Sequence, residues 1–193
     1  MERDVILFNN TGVARQAPRM LPSEFSRAAS RLMRERGISG VGVDALTEAA
    51  GMTHGSLYSH FGSKERLVEE AIGYAIAAKG REGPEAFSLE DYISEYLSAA
   101  HRDGPGSGCP FAALGCDVSH QGHGVRNRFT AGVRGMIGLL SGQMGPGLKQ
   151  RQRDEAALAA IASLVGAVVL ARAVNDPKLS DDILRTTKKR LIG

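Results

Sequence analysis

The chain has 193 residues, 42% hydrophobic and 23% charged, with a formal net charge of +3 and a pI of about 9.0. That length suits one mid-sized domain or a small domain fused to a larger one, and two cysteines are too few for a disulfide scaffold. No apolar run is expected to approach the roughly 18 residues of a membrane span, and the VILF at the start is too short for a signal-peptide core. These readings describe a cytoplasmic protein without a membrane partner. The basic excess permits a nucleic-acid partner but does not argue for one, because residues 1–70 carry nine Lys/Arg against nine Asp/Glu.

In chain order, residues 1–22 lack periodicity and contain NNTG and two prolines, so a flexible N-terminal arm is expected there. From Ser23, a possible N-cap, Phe25, Ala28, Ala29, Leu32 and Met33 recur at helical spacing until Gly37. Arg27, Arg31 and Arg34 form a stripe on another face, which reads first as solvated and second as a contact with a polyanion. Asp44 is placed to cap a second short helix carrying Leu46, Ala49 and Ala50, and Gly51 breaks it. Thr53 opens a third helix with Leu57 and Phe61 inward, and Gly62 closes it. Ser63 caps a fourth, with Glu65 at the positive end of its dipole and Leu67, Val68, Ala71, Ile72 and Ala75 as its apolar face.

The helix over 44–50, the turn at Gly51 and the helix over 53–60 make a helix-turn-helix by length and glycine placement. A tight glycine turn sets the two helices at a steep angle, so the first braces the second as it projects from the body. After a break at 80–88, further helices are expected near 89–101, 110–121, 125–143, 154–174 and 180–190. The stretch AALAAIASLVGAVVLARAV is apolar on nearly every side, so cover is expected on more than one face, from the domain or from a second copy.

An ordered set of motifs over residues 23–75 resembles the TetR family of bacterial transcriptional regulators (TetR/AcrR-like). They are RERG at the end of the first helix, LTEAAGM before the turn, and the recognition stretch THGSLYSHFGSKERL. The resemblance implies an all-α protein. A helix-turn-helix DNA-binding domain would occupy 23–70, and a helical effector-binding and dimerisation domain 71–193. It implies a homodimeric repressor, without cofactor, released from double-stranded operator DNA by a small-molecule or electrophile effector. By the same resemblance, Thr53 caps the recognition helix, and His54, Gly55 and Ser56 point at base edges or the neighbouring backbone. Tyr58 and His60 meet the groove and phosphates, and Lys64 reaches a phosphate. The sequence departs from the family pattern at Gly42 and Asp44, where a hydroxyl residue and an arginine are frequent, and at His54, where a lysine is.

The stretch GSGCPFAALGCDVSHQGHG supports three readings. Cys109 and Cys116 can be buried small hydrophobes beside surface histidines. Cys109, just before Pro110, can be a sensing thiol at a helix N-terminus. Cys116, His120 and His123 can be metal ligands, although only the first two share helical spacing; the reading adopted assigns no metal. Phe111, Leu114, Val118, Phe129, Val133, Met136, Ile137 and Leu140 are an apolar lining for a pocket or simply core. Cys109, Cys116, Phe111, Phe129 and Met136 are the candidate effector residues. No nucleophile, base and orienting group stand at a recognisable spacing, so no catalytic residues are expected. The alternative to a DNA-binding regulator is a helical protein-interaction module using the 156–174 helix.

Overall fold

The computed structural model describes residues 6–8, 14–16, 22–81, 88–145 and 147–193. A short antiparallel pair, β1 (Ile6–Phe8) with β2 (Ala14–Gln16), sets Ile6 opposite Gln16 within the segment expected as an arm. Most of the rest of that segment lies outside the described residues. Every other regular element among the described residues is helix. α1 (Pro22–Arg36) begins with proline, whose fixed φ suits a first helical position, so Ser23 lies inside the first turn instead of capping it. Phe25, Ala29 and Met33 along this helix are fully buried.

Three helices follow closely: α2 (Val43–Ala49), α3 (His54–Phe61) and α4 (Lys64–Arg81). The cap expected at Asp44 is at Gly42, which offers no side chain, and Asp44 sits in the first turn. The turn after α2 depends on Gly51 at φ +60°, a left-handed conformation that side chains with a Cβ disfavour. There the Met52 N–H donates back to Thr47 O at 2.8 Å. Thr53 and Ser63 cap as expected. The Thr53 hydroxyl accepts from Ser56 N–H at 3.2 Å and the Ser63 hydroxyl from Arg66 N–H at 3.1 Å.

The remaining helices are α5 (Leu89–Tyr96), α6 (Ala99–Asp103), α7 (Pro110–Val118), α8 (His123–Gln143), α9 (Gln150–Ala173) and α10 (Pro177–Ile192). The single helix expected over 89–101 is two, because the Ser98 hydroxyl accepts from His101 N–H at 3.1 Å and starts a new helix. α7 ends three residues early, where Ser119 donates its hydroxyl to Cys116 O at 2.6 Å. His120 therefore lies in the turn, and His123 opens α8.

Two apolar clusters hold these elements. The first joins Phe25, Met33, Leu46, Leu57 and Leu67 to Leu114, Val118 and Val125. The second gathers Ile93, Tyr96, Phe111, Met136, Leu164 and Val168. Ile76 and Phe129 touch both, so apolar packing continues past residue 70 from the helix-turn-helix into the larger helical body. α9 corrects one expectation. By length and composition it is long and apolar enough to cross a membrane, with 39% of that window buried inside the chain. Its Leu158 and Leu170 are more than half exposed.

Candidate nucleic-acid interface and effector cavity

α3 divides cleanly into two faces. Leu57 and Phe61 point inward, with the Phe61 ring tilted against Phe25 of α1 at 5.0 Å. His54, Gly55, Tyr58, Ser59 and His60 are exposed, and Ser56 is half-buried with its N–H engaged by the Thr53 cap. A Cβ at Gly55 would meet only Thr53 Oγ1, at 4.0 Å, so the start of the helix presents bare backbone. Tyr58, at 47% exposure, has no packing reason to be aromatic. The outer side of α3 is thus polar, short and unobstructed, the shape that enters a major groove.

Two flanking contacts were not legible in the sequence. Asp44 Oδ1 of α2 pairs with His54 Nε2 of α3 at 2.5 Å, so the carboxylate that departs from the family pattern faces the histidine that also does. Lys64 Nζ donates to Val41 O at 2.7 Å, tying α4 to the loop between α1 and α2 while its two other N–H groups remain available. Arg34 departs from the solvated stripe. It is half-buried, and its Nη1 donates to Gly108 O at 3.4 Å. Arg31 instead pairs with Glu35 at 2.9 Å, and Arg27 is exposed.

The second feature is a cavity of about 1010 Å³ among α4, α5, α6, α7 and α8. Apolar walls come from Ile76, Leu89, Phe111, Met136, Leu139 and Leu140, and polar groups from Tyr92, Tyr96, His101 and Cys109. Of the five residues expected from the sequence, Cys109, Phe111 and Met136 line it. Phe129 stands outside the lining, edge-on to Phe111 at 5.1 Å, and Cys116 is exposed elsewhere. Tyr92, Tyr96 and the engaged state of His101 were missed, because the fold alone brings α5 and α6 to the head of α7.

Cys109 is the N-cap of α7 and is 8% exposed. Its N–H donates to His101 Nε2 at 2.9 Å, which leaves the proton on Nδ1 to be donated to Tyr96 O at 2.6 Å. Arg172 of α9 holds the same corner by donating to the carbonyls of His101 and Arg102 at 2.6 and 2.9 Å. Burial lowers the pKa of both Arg34 and Arg172. Both remain cations at neutral pH, since a guanidinium does not deprotonate in proteins. Among the described residues, no three His, Cys, Asp or Glu side chains gather into a metal set.

α7 joins the cavity to the helix-turn-helix. Cys109 at its head faces the cavity, and Asp117 near its tail accepts the Ile38 N–H at 2.6 Å, just past α1. A Cβ at Gly37 would stand 2.8 Å from the same carboxylate. α7 is thus tied to the end of α1 by a direct hydrogen bond.

A helix-turn-helix with an open polar recognition face, carried on a helical body with a cavity, defines a ligand-responsive class of DNA-binding protein. Comparison with known proteins agrees. The family model described as bacterial regulatory proteins, tetR family, matches residues 26–71. An uncharacterised HTH-type transcriptional regulator of Mycobacterium tuberculosis is 28% identical over 183 residues, 86% of this chain and 91% of that one. The HTH-type transcriptional repressor NemR of Escherichia coli is 28% identical over 120 residues, 58% of this chain and 60% of the repressor. In fold, the crystal structure of E. coli NemR in its reduced form superposes with a TM-score of 0.71 at 24% identity, covering 88% of this chain and 94% of that one. A TetR-family regulator from Cytophaga hutchinsonii gives 0.71 at 20%, covering 89% and 93%. Residues 26–71 carry the helix-turn-helix of the tetR family, the chain as a whole resembles TetR-family regulators in fold, and it is a DNA-binding transcriptional regulator. The interaction-module alternative is not favoured.

Proposed function

We propose that the protein is a cytoplasmic homodimeric repressor, not an enzyme, released from its operator by a small organic effector or by modification of Cys109. The observation that carries this reading is α7, whose head lines the cavity and whose tail grips the end of α1 through Asp117 and Ile38. Two copies would place two α3 helices in successive major grooves, about 34–36 Å apart or at a related spacing on deformed DNA. A few ångströms of displacement at each α1 would break that match and cost operator affinity.

On DNA, the reading gives His54, Gly55 and Ser56 the base edges or nearby backbone. Thr53, Tyr58, His60 and Lys64 take phosphate and groove contacts. The exposure of all these positions except half-buried Thr53, Ser56 and Lys64 supports the assignment. Dimerisation is assigned to α9 and α10, because Leu158, Leu170 and Leu179 leave an apolar face uncovered within one copy. The effector site is assigned to the cavity with Cys109, Phe111 and Met136. Phe129 supports Phe111 from behind, and Cys116 takes no part.

A mobility-shift titration against the DNA upstream of the protein's own gene tests the reading. Sequence-specific retardation at moderate salt is expected. Binding that stays weak and indifferent to sequence would refute it.

A further inference from the structure

His54 is the first residue of α3, and its ring is turned against α2, where Asp44 stands in the first turn. Nε2 lies 2.5 Å from Asp44 Oδ1, with the carboxylate side chain 92% exposed and the imidazole 56%. An ionised carboxylate is an acceptor only, and two facing lone pairs would repel at that distance. The proton of the neutral ring is therefore on Nε2. The same contact fixes the tautomer, so Nδ1 carries a lone pair and can only accept. Nδ1 has no partner among the described residues.

The rest of the early outer face has no such fixed polarity. Gly55 offers no side chain, and the Ser56 and Tyr58 hydroxyls turn to donate or accept as a partner requires. The N-terminal residues of a recognition helix are the ones that reach base edges, so His54 brings an acceptor to the groove. In the major groove, cytosine N4 and adenine N6 are the donors. Guanine O6 and N7 and thymine O4 are acceptors. Against guanine or thymine, Nδ1 would set lone pair against lone pair.

We infer that His54 is a specificity-determining residue that reads an amino-bearing base, cytosine or adenine, through Nδ1, and that Asp44 is the positioning residue that holds it in the accepting state. This rests on the proposed entry of α3 into the major groove and specifies what one of its side chains recognises. Asp44 touches no base. Its carboxylate stops the ring from turning round to present the N–H, which would take guanine instead.

The test uses the full chain on the duplex it protects upstream of its own gene, with every base pair replaced in turn. The His54 position is the one where replacement weakens the parent and leaves His54→Ala indifferent. There the parent should bind cytosine or adenine at least about fivefold more tightly than guanine or thymine, the low end of the cost of one mismatched pair. Deleting the amino group alone, with 2-pyrimidinone for cytosine or unsubstituted purine for adenine, should cost the parent a similar factor, and whichever duplex responds names the base. These duplexes are read with the unaltered protein, so the result stands whatever a substitution does to folding. His54→Lys, which has donors alone, should reverse the order in favour of guanine or thymine. Asp44→Ala should bring the ratio to within about twofold, because the freed ring can turn its N–H to guanine. Four results overturn this inference and leave the DNA reading standing, provided retardation stays sequence-specific: a parent preference for guanine or thymine, indifference to loss of the amino group, no position that His54→Ala silences, or a ratio unchanged in Asp44→Ala. Retardation indifferent to sequence overturns both.

Discussion

Asp44 and His54 face each other across the helix-turn-helix turn, Oδ1 to Nε2 at 2.5 Å, with both side chains more than half exposed. The pair places a carboxylate beside the recognition helix, where the proposed DNA contact would bring phosphates, with the His54 imidazole against it. Because the contact is solvated, it adds little to folding, about 0–1 kcal/mol. Its consequence lies in DNA affinity.

Asp44→Asn should therefore tighten operator binding roughly two- to tenfold, on the order of 1 kcal/mol for one unit charge a few ångströms from a phosphate in water. Thermal unfolding should barely move. A mobility-shift titration alongside a melting curve checks both, and weaker binding by the variant would contradict the placement of Asp44.

Tyr58→Ala and Lys64→Ala should weaken binding across sequences, since both are assigned to phosphates, and the lysine variant should reduce the salt slope by about one. Lys64→Ala should also lose about 1 kcal/mol of stability, because its Nζ holds Val41 O. Substitution of His54 or Ser56 should alter base preference instead. Binding titrations over several salt concentrations on matched and mismatched DNA separate these outcomes.

Asp117→Ala removes the acceptor for Ile38 N–H and should cost about 1.5–3 kcal/mol, the range for a hydrogen bond to a charged group. In chemical denaturation the midpoint should fall. Effector-driven release should weaken more than basal DNA binding, because the variant uncouples α7 from α1. Full release in a destabilised Asp117→Ala protein would place the coupling elsewhere.

Tyr96→Phe should matter less. Removing a buried hydroxyl whose one polar neighbour is the weakly hydrogen-bonding Cys109 thiol should change stability by less than about 1 kcal/mol. A melting temperature that drops by several degrees would mean the hydroxyl is bonded more strongly than a thiol allows.

Leu158→Glu combined with Leu170→Glu puts two charges on the uncovered face of α9. Size-exclusion chromatography with light scattering should find a monomer, and specific operator binding should fall because the paired half-site geometry is lost. A variant that remains a dimer would move the interface off α9.

The helix-turn-helix was legible in the sequence because its determinants are local. Gly51 must turn, Thr53 must cap, Gly62 must stop α3 at φ +73°, and Leu57 and Phe61 share one helical face. The body was legible only in outline. The break at Ser98 and the early end of α7 at Val118 depend on single side-chain hydrogen bonds, which compete with the backbone ladder by small margins. α9 shows the same limit, since its composition suits a membrane span, a buried core helix or a subunit interface alike.

Sequence by itself determined the recognition unit and its two faces, since caps, turns and helical periodicity act over a few neighbouring residues. The tertiary structure alone decided that Tyr96 and Cys109 share one chamber, that Asp44 opposes His54, and that Asp117 holds Ile38. Those pairs join residues on different helices. Which partners meet there is fixed by how the helices pack, and no short-range pattern in the chain encodes that.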